Sequence, residues 1–504
     1  MSFFPRTIEK VAIIGGGPCG AGAAKALLGE ETFKQIKIYE KRPVAGGLWN
    51  YYEEPPKVEY PSLDPFAIVK PQKLDDPEKI YGKEVVSSGR AGTDYFWPTA
   101  VYELLDTNVC SSIMEYANFP WEKGIPLFPK RADVLNYIRN YTKEVEHLIT
   151  FGVNVFQVTQ LPNQSWEIKS RQINEATNGG LLSDPRYETT EIFDAVILAV
   201  GSYDMPHVPE KKGLAQWLEK YPDSISHSKS YRHPRQFENL HGQIIVVGNS
   251  ASASDIAFQL VTVLDRSVYK SCRSENLLPA GSDERIKEIK DIDFFDAENK
   301  TVHLIDGTSV DNVDHVIFAT GFLRSFPFLN GLNAHSKTPL ITDGARVHGM
   351  YHHCLSRNFP GLGIIGLPRF VLPTRLSETQ GVWLSRVFSG RLQVPSVEVM
   401  KKEEEDIVTR KGDGRNFHDM NFPEDVLHYR MLNREIYSAG LDHGFMPVPW
   451  NEEQTRLRGS IKQLKEAYIA YRRRTGKLAS TIEELEREEG FVMPEVDKAL
   501  FGFE

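Results

Sequence analysis

Short runs of consecutive apolar residues predict the first strands of this chain. Residues 11–14 form such a run and lead into a glycine-rich turn at 15–20, and an Ala- and Leu-rich stretch then predicts a helix to about residue 28. A second run at 36–39 ends at Glu40. Strands that are buried on both faces of a parallel sheet are apolar throughout, so this order predicts a βαβ unit.

Similar apolar runs further along the chain predict a second set of buried strands. Residues 244–247 precede another turn and helix, and residues 316–319 form a strand that ends at Thr320 and Gly321. Shorter strand-like segments lie at 153–156, 166–168 and 195–199. The repeated order of strand, turn and helix predicts two α/β units in one chain.

The remaining regions differ in character. Six prolines break any helical pattern between residues 51 and 98, which predicts an ordered but irregular excursion. The periodicity of residues 101–151 is helical, with one amphipathic helix predicted at 131–148. Beyond residue 395 the chain becomes charge-rich, which predicts a helical layer on the surface. The helical patterns in this tail cover 452–474 and 481–489.

Length and composition limit the class of protein. The chain has 504 residues, which at roughly 100 to 200 residues per domain predicts two to four domains. A content of 41% hydrophobic and 25% charged residues excludes a disordered, collagenous or membrane-embedded chain. Lys and Arg number 59 against 68 Asp and Glu, a net charge of −9, so no overall positive field favours nucleic acid. A small-molecule substrate is therefore expected.

The cysteines, the N-terminus and the length of the apolar runs bear on disulfides, metal binding and cellular location. Cys19, Cys110, Cys272 and Cys354 lie far apart without metal-ligand spacing, so neither a disulfide framework nor a metal site is expected. The N-terminus lacks the pattern of a signal peptide, and no apolar run reaches about 18 residues. We therefore expect a cytoplasmic protein without a transmembrane segment. A homodimer is compatible with the sequence.

The glycines of the first turn fit a dinucleotide-binding motif. Gly15, Gly17 and Gly20 follow the GxGxxG spacing, which allows a tight turn, close approach of a pyrophosphate and close helix packing. Pro18 lies among them at the start of a helix whose free N–H groups attract phosphates. Glu40 ends the next strand, where its carboxylate can accept hydrogen bonds from both hydroxyls of a ribose and repels a 2′-phosphate.

The second turn departs from this motif at one position. Gly248 keeps the first glycine, Ser250 replaces the middle one, and Ala253 stands at the third position, where alanine is tolerated. Ser252 adds a hydroxyl beside the turn. The apolar strand before the turn and the helix after it predict a second dinucleotide site.

The residues after the next strand are basic where the first site is acidic. Lys270, Arg273 and Ser274 stand there. An arginine offers a charged fork to a 2′-phosphate, which a carboxylate at this place would exclude. The contrast with Glu40 predicts NADPH rather than NADH at the second site, with Arg273 as its main contact.

The loop after the second predicted strand carries a family resemblance. It contains Gly46, Gly47, Leu48 and Trp49. In this loop and the turn before it, the sequence resembles the flavin-containing monooxygenases, whose first dinucleotide motif binds FAD and continues into Gly-Gly-x-Trp. The resemblance implies that these four residues wrap the flavin side of FAD.

Two further segments extend the resemblance. The second turn resembles the family's NADPH-binding turn, which implies that Gly248, Ser250 and Ser252 contact the pyrophosphate. Thr107 and Asn108 belong to a segment that resembles the family's Leu-x-Thr-Asn, whose asparagine lies against the flavin and the nicotinamide ribose. The proline that follows in the family is absent here. The resemblance implies an active-site amide at Asn108, and a helix-capping asparagine is the structural alternative.

The family's identifying motif is altered in this chain. His227 and Tyr231 keep its spacing, whereas Tyr221 and Asp223 replace Phe and Gly. The related Baeyer–Villiger enzymes carry Trp at the place of Tyr231, so this position favours heteroatom oxidation over ketone oxidation. We assign His227 a structural role as a linker rather than a role in proton transfer. The resemblance covers about residues 8–396.

Motifs and resemblance together predict an α/β fold with two Rossmann-like dinucleotide-binding domains, one for FAD and one for NADPH. The NADPH domain is expected as an insertion in the FAD domain. The predicted boundaries are 1–206 for the first part of the FAD domain, 207–315 for the NADPH domain, 316–400 for the second part of the FAD domain and 401–504 for a charged helical C-terminal extension.

The resemblance implies an NADPH- and O2-dependent flavoprotein monooxygenase. In the family, NADPH reduces the flavin, O2 adds to give a C4a-hydroperoxide, and a soft nucleophilic sulfur or nitrogen of a small molecule takes the distal oxygen. Asn108 is then the expected catalytic residue, which hydrogen-bonds the reactive intermediate in a site that excludes water.

Three alternatives stay open on the sequence. A Baeyer–Villiger or N-hydroxylating monooxygenase would share the fold. A flavin disulfide reductase would share both nucleotide motifs but needs a redox cysteine pair, and Cys19 has no nearby partner in the sequence. A non-oxygenating protein that binds NADPH and FAD is supported only by the altered residues Tyr221, Asp223 and Ser250.

Overall fold

Two sheets organise the chain in the computed structural model, which describes residues 4, 6–273 and 283–503. The smaller of the two is parallel, and the larger is parallel except for an antiparallel edge formed by its first three strands. The first sheet has seven strands, in the spatial order Met350–Tyr351, Leu355–Ser356, Leu362–Ile364, Ala195–Leu198, Lys10–Ile14, Gln35–Glu40 and Ile149–Phe151. The second sheet has five, in the order Ile225–His227, Val313–Phe318, Gln243–Val247, Val268–Ser271 and Ile286–Ile289. The predicted mixed α/β class is confirmed.

Smaller sheets complete the strand structure. Two are three-stranded and antiparallel, and two are pairs. Their strands are Val153–Gln160, Trp166–Gln172 and Glu188–Phe193; Ile292–Asp296, Thr301–Leu304 and Ser309–Val310; Met205–Pro206 with Phe322–Leu323; and Gln72–Lys73 with Tyr95–Phe96. The pair Met205–Pro206 and Phe322–Leu323 lies where the chain enters and leaves the second sheet, so it joins the two units.

Helices cover the sheets and fill the C-terminal tail. The α-helices are Pro18–Gly29, Pro77–Tyr81, Lys83–Ser87, Ser111–Met114, Arg131–Thr142, Leu214–Lys220, Ala251–Leu264, Asn330–His335, Pro373–Phe388, Val397–Lys411, Glu424–Ser438, Glu452–Gly459, Ile461–Thr475, Ile482–Glu489 and Lys498–Phe501. The 3₁₀ helices are Gly47–Trp49, Lys143–Leu148, Pro185–Tyr187, Ser228–Ser230, Pro234–Phe237 and Pro327–Leu329.

The first helix approaches its neighbour unusually closely. A Cβ on Gly22 would lie 2.6 Å from Ser377 Oγ, and one on Gly381 would lie 3.0 Å from Ala23 Cα. Small residues at the crossing therefore let helices Pro18–Gly29 and Pro373–Phe388 pack backbone to backbone. The second of these helices is almost entirely buried, which fixes the first helix, and the turn before it, against the core.

The helical prediction for residues 101–151 is partly wrong. Between 101 and 130 the structure has only the four-residue helix Ser111–Met114, and the predicted helix at 131–148 ends as an α-helix at Thr142 and continues as the 3₁₀ helix Lys143–Leu148. The backbone of 101–130 bonds to distant segments instead, as in Leu127 N–H donating to Ala479 O at 2.9 Å. Those tertiary partners override the helical periodicity of the sequence.

The tail is helical, and its helices keep exposed faces while one face packs against the rest of the chain. Leu464, Tyr468 and Tyr471 belong to one hydrophobic cluster with Ile113 and Phe128 of the first 130 residues. The rings of Phe128 and Tyr468 have centroids 4.9 Å apart. The physical reason is that the apolar residues of helix Ile461–Thr475 recur every three or four positions, so one face of a charged helix is buried.

The strand Val313–Phe318 contains the boundary predicted between residues 315 and 316. This strand pairs with Gln243–Val247 on one side and with Ile225–His227 on the other, so all of it lies in the second sheet. Within the described ranges, no helix combines the length and the apolar character needed to cross a membrane.

Candidate functional site

The first glycine turn forms a cradle that side chains would fill. Gly15 has φ +107°, and a Cβ there would lie 2.6 Å from Ala199 O. A Cβ on Gly20 would lie 1.9 Å from Gly15 O. The helix starts at Pro18 with Gly17 as its N-cap and without a side-chain cap, so its first N–H groups have no side-chain acceptor. This exposed backbone fits an anionic ligand such as a pyrophosphate.

The loop with the second pair of glycines rests against this cradle. A Cβ on Gly17 would lie 3.3 Å from Gly47 Cα, and one on Gly47 would lie 2.9 Å from Gly17 Cα. Gly46, with φ +105°, turns the chain into the 3₁₀ helix Gly47–Trp49. Leu48 and Trp49 are half-buried just beyond it. The fold thus brings the two predicted glycine motifs into contact, as a single dinucleotide requires.

Glu40 lies at the edge of the cradle with its carboxylate oriented by the backbone. Its Oε2 accepts a hydrogen bond from Gly16 N–H at 2.7 Å, and its Oε1 accepts one from Arg42 N–H at 2.8 Å. The residue is 3% exposed. Because a carboxylate has about four acceptor positions, two remain for the hydroxyls of a ribose. The donor and acceptor set of this turn therefore fits an adenosine ribose without a 2′-phosphate.

The second turn has the same backbone geometry with fewer glycines. Gly248 has φ +135°, and a Cβ there would lie 2.6 Å from Ala319 O. Ser250 is the N-cap of helix Ala251–Leu264 and makes no side-chain cap hydrogen bond. Ser252, in the first turn of that helix, is half-buried. The helix start fits a second anionic group in spite of the serine at the middle position.

The basic residues beyond the second turn are engaged by carboxylates. Asp291 Oδ2 accepts from Arg273 Nε at 2.9 Å and pairs with Arg273 Nη2 at 2.8 Å. The Arg273 side chain is 71% exposed, so its remaining N–H groups face solvent. Lys270 is buried and pairs with Glu288 at 2.9 Å, which removes it as a phosphate contact. Ser274 lies outside the described residues.

The Asn108 segment is held by its backbone while its amide is free. Thr107 N–H donates to Pro129 O at 2.9 Å, and Thr107 Oγ1 donates to Val109 O at 2.8 Å. The half-buried Asn108 side chain has no hydrogen-bond partner in the part of the chain that the structure describes. Cys110, not Asn108, is the N-cap of the next helix, so the helix-capping alternative does not hold.

Trp49 and the Asn108 segment meet on one apolar surface. Trp49 and Val109 both pack against the hydrophobic cluster formed with the tail. The loop implied to wrap a flavin and the predicted active-site amide are therefore brought to the same part of the first unit, although about sixty residues separate them in the sequence.

His227 is a buried structural histidine. Its Nδ1 accepts from Lys229 N–H at 3.0 Å, and its Nε2 lies 2.9 Å from Gly321 O, which accepts its proton. Burial lowers the pKa of His227 to about 3, so the ring is neutral. The ring thus ties the end of one strand of the second sheet to the crossing at Gly321. Tyr231 is also buried and donates from its hydroxyl to Gln259 Oε1 at 2.9 Å.

Two residues of the tail that sequence reasoning missed reach these sites. Lys465 Nζ donates to Thr107 O at 2.8 Å. Arg415 bonds from Nη2 to Thr320 O at 2.9 Å, and its Nη1 lies 2.7 Å from His207 Nδ1. A lysine on the apolar face of an amphipathic helix was the available signal for Lys465. No comparable sequence signal marks Arg415.

The described residues contain no group of three or more His, Cys, Asp or Glu side chains arranged to hold a metal ion. The four cysteines are free thiols.

Comparison with known families identifies two matching profiles. The profile described as "Flavin-binding monooxygenase-like" matches residues 96–280 and 287–423, more than half of the chain. The profile described as "NAD(P)-binding Rossmann-like domain" matches residues 13–64, which contain the first glycine turn and the Gly46–Gly47 loop.

Similar proteins include two curated fungal relatives. A thiol-specific monooxygenase of Saccharomyces cerevisiae is 29% identical over 481 residues, which cover 91% of this chain and 92% of that protein. A flavin-containing monooxygenase of Amanita muscaria is 26% identical, covering 88% and 90%.

Solved structures with the same fold include an S-allyl-L-cysteine S-oxygenase from Allium sativum. It superposes with a TM-score of 0.70 at 22% identity and covers 98% of both chains. The Tmm protein of a Pelagibacter strain superposes with a TM-score of 0.65 at 21% identity, covering 91% and 90%.

Proposed function

Because the chain belongs to the flavin-binding monooxygenase-like family and is an NADPH-dependent enzyme, we propose that it transfers one oxygen atom of O2 to a soft nucleophilic sulfur or nitrogen of a small molecule. Its cofactors are FAD and NADPH. The observation that carries the proposal is the free Asn108 amide in a chain with two dinucleotide cradles, the first with Glu40 at the end of its second strand and the second with Arg273 just beyond the corresponding strand.

In this proposal the first cradle holds FAD. Gly15, Gly17, Pro18 and Gly20 contact its pyrophosphate through backbone, since a side chain on Gly15 or Gly20 would collide with the turn. Glu40 accepts hydrogen bonds from the ribose hydroxyls. Gly47, Leu48 and Trp49, with Thr107 and Asn108, line the flavin side.

The second cradle holds NADPH. Gly248, Ser250 and Ser252 contact the pyrophosphate at the start of helix Ala251–Leu264. Arg273 contacts the 2′-phosphate with the N–H groups that Asp291 leaves free. Glu40 and Arg273 thereby assign the two nucleotides, because a carboxylate repels the extra phosphate that a guanidinium attracts.

The proposed domains follow from these two sites. Residues 1–206 and 316–400 form the FAD domain, residues 207–315 form the inserted NADPH domain, and residues 401–504 form the C-terminal extension. The pairing of strand Val313–Phe318 within the second sheet supports moving the second boundary to the crossing at about residue 320.

When bound, FAD would supply the redox chemistry, as acceptor of a hydride equivalent from NADPH and donor of electrons to O2, and the chain's own residues control the surroundings of that chemistry. The Asn108 amide can donate to one ligand atom and accept from another, because no protein group occupies it within the described residues. The buried Thr107 and the hydrophobic cluster against which Trp49 packs limit access of water, which would otherwise release the activated oxygen as peroxide.

Sulfur is the first substrate atom to test. The yeast relative is named a thiol-specific monooxygenase, and the garlic protein with the same fold is an S-oxygenase. A soft nucleophile attacks an activated oxygen without prior activation by a base, and the buried, neutral His227 offers none. Tyr231 stands where the Baeyer–Villiger enzymes carry Trp, which favours oxidation of a heteroatom over oxidation of a ketone.

The decisive experiment follows flavin absorbance in an anaerobic stopped-flow instrument. The FAD-loaded protein is reduced by NADPH and mixed with O2, with or without a thiol, a thioether, an amine or a cyclic ketone. We expect a transient absorbance, distinct from the oxidised and reduced flavin, that decays faster as thiol or thioether concentration rises and yields one oxygenated product per NADPH. Direct return to the oxidised spectrum with stoichiometric peroxide, unaffected by all four compounds, would contradict the proposal.

A further inference from the structure

A lysine of the tail is buried against the Asn108 segment. Lys465 is 6% exposed, and in the described part of the chain its only hydrogen bond is the one from Nζ to Thr107 O, at 2.8 Å. The ammonium also lies over the ring of Phe128, 4.4 Å from the centroid. A buried charge without a salt-bridge partner is costly, and it persists only where the fold uses it.

The carbonyl that Lys465 binds belongs to the peptide that links Thr107 to Asn108. The N–H of Thr107, which belongs to the preceding peptide, donates to Pro129 O at 2.9 Å. The backbone of Thr107 is therefore anchored at its N–H by the neighbouring segment and at its carbonyl by the tail. Asn108 itself has no side-chain partner in the described residues, so its position depends on these backbone anchors.

Carboxylates near the ammonium stabilise it without touching it. Asp106 and Asp255 attract Lys465, whereas burial and Arg472 oppose its charge. Arg472 itself pairs with Asp106 at 3.0 Å. Among the described residues no carboxylate accepts a hydrogen bond from Lys465 Nζ, so the ammonium donates to the Thr107 carbonyl.

We infer that Lys465 is a positioning residue that fixes the Thr107–Asn108 peptide, and through it the Asn108 amide, for coupled oxygen transfer. The inference rests on the proposed function for its effect on oxygen transfer. It assigns the C-terminal extension a part in the active site, since the first 400 residues supply no equivalent to this anchor among the hydrogen bonds of the described segment.

The test compares three full-length variants loaded with FAD. Lys465→Met keeps the length of the side chain and removes its donor, whereas Lys465→Arg keeps a charged donor. Arg474→Met is the matched control, because Arg474 lies on the same helix and its ion pairs among the described residues are with the tail residues Glu488 and Glu489. The first readout is hydrogen–deuterium exchange of a peptide that spans residues 105–110, and the second is the fraction of NADPH that ends as oxygenated product rather than peroxide.

For Lys465→Met we expect exchange in this peptide to be at least tenfold faster and peroxide release to rise at least fivefold, with unchanged FAD content. Lys465→Arg should recover at least half of the coupling, and Arg474→Met should match the wild type. Wild-type exchange and coupling in Lys465→Met would overturn the inference. If Lys465→Met does not retain FAD, Lys465→Gln, which is shorter and uncharged, is judged by the same two criteria.

A double-mutant cycle with Asn108→Ala separates positioning from general stability. If Lys465 acts through Asn108, adding Lys465→Met to Asn108→Ala should not lower coupling further. Additive losses would overturn the inference. A wild-type enzyme that oxygenates none of the tested nucleophiles would instead refute the proposed function, and exchange of residues 105–110 would still decide whether Lys465 fixes the peptide.

Discussion

Replacement of Arg273 by alanine should remove the preference for NADPH over NADH. The guanidinium has five N–H groups, and Asp291 engages Nε and one Nη2 group, so the Nη1 pair and one further N–H can bind a 2′-phosphate. Hydrogen bonds to charged groups contribute about 1.5–3 kcal/mol, and exposed ion pairs only about 0.2–1 kcal/mol. Because the Arg273 side chain is 71% exposed, we expect the loss of binding free energy to lie between these two ranges.

That loss corresponds to about 1–2 kcal/mol, or a factor of roughly 5–30 in the Kd for NADP⁺. The Kd for NAD⁺ should change less than about twofold, because NAD⁺ lacks the phosphate that Arg273 contacts. Isothermal titration of the FAD-loaded protein measures both constants. Because the pair is exposed, the discrimination should also shrink as salt rises from about 0.05 M to about 0.5 M.

Two controls sharpen this test of Arg273. Lys287→Ala removes one positive charge from the exposed face of the neighbouring strand without touching Asp291, and it should leave the ratio of the two Kd values unchanged. Asp291→Asn frees the guanidinium and should strengthen NADP⁺ binding. Equal weakening of NAD⁺ and NADP⁺ in Arg273→Ala, or no weakening of either, would refute the assignment of Arg273 to the 2′-phosphate.

Four further predictions follow from the site. Asn108→Ala should divert most NADPH oxidation to peroxide while FAD content stays at the wild-type level, and unchanged coupling would show that the amide has no catalytic part. Glu40→Gln should weaken FAD binding about tenfold through loss of the charged acceptor, measured by equilibrium dialysis of the apoprotein, since hydrogen bonds to charged groups contribute about 1.5–3 kcal/mol. Gly20→Ala should prevent recovery of FAD-loaded protein, because its Cβ would lie 1.9 Å from Gly15 O; a folded, yellow variant would contradict the geometry. His227 should destabilise the fold in acid. Its pKa in the folded protein is about 3, below the value of about 6.5 in the unfolded chain, so between these pH values only the unfolded chain binds the proton. The free energy of unfolding therefore falls by up to about 1.4 kcal/mol for each pH unit of acidification. Thermal unfolding of wild type and His227→Gln between pH 7 and 5 should show a shallower slope for the variant.

The assignments that could be made from sequence rest on short segments with strict local geometry. The turn at Gly15 and Gly20 requires glycine because a Cβ on Gly15 would meet Ala199 O and one on Gly20 would meet Gly15 O, and that requirement is visible in the GxGxxG spacing. Glu40 and Arg273 each follow a buried strand, so their places at the carboxyl edges of the two sheets also followed from local pattern.

Contacts between distant segments were not predictable in the same way. Residues 101–130 have helical periodicity, yet distant partners such as Ala479 O hold that backbone in irregular form. The engagement of Arg273 by Asp291 also depends on how a later strand returns to the second sheet. Neither partner is marked by a spacing in the sequence.

The sequence by itself determined the two dinucleotide cradles, their opposite charge and the α/β class, because glycine turns and apolar strands are encoded within some thirty residues each. Tertiary structure alone decided that the charged tail is buried against the Asn108 segment, through Lys465 and the cluster around Phe128. The reason is physical: a turn is stabilised by its own backbone, whereas a contact across more than 350 residues depends on how all the intervening elements pack.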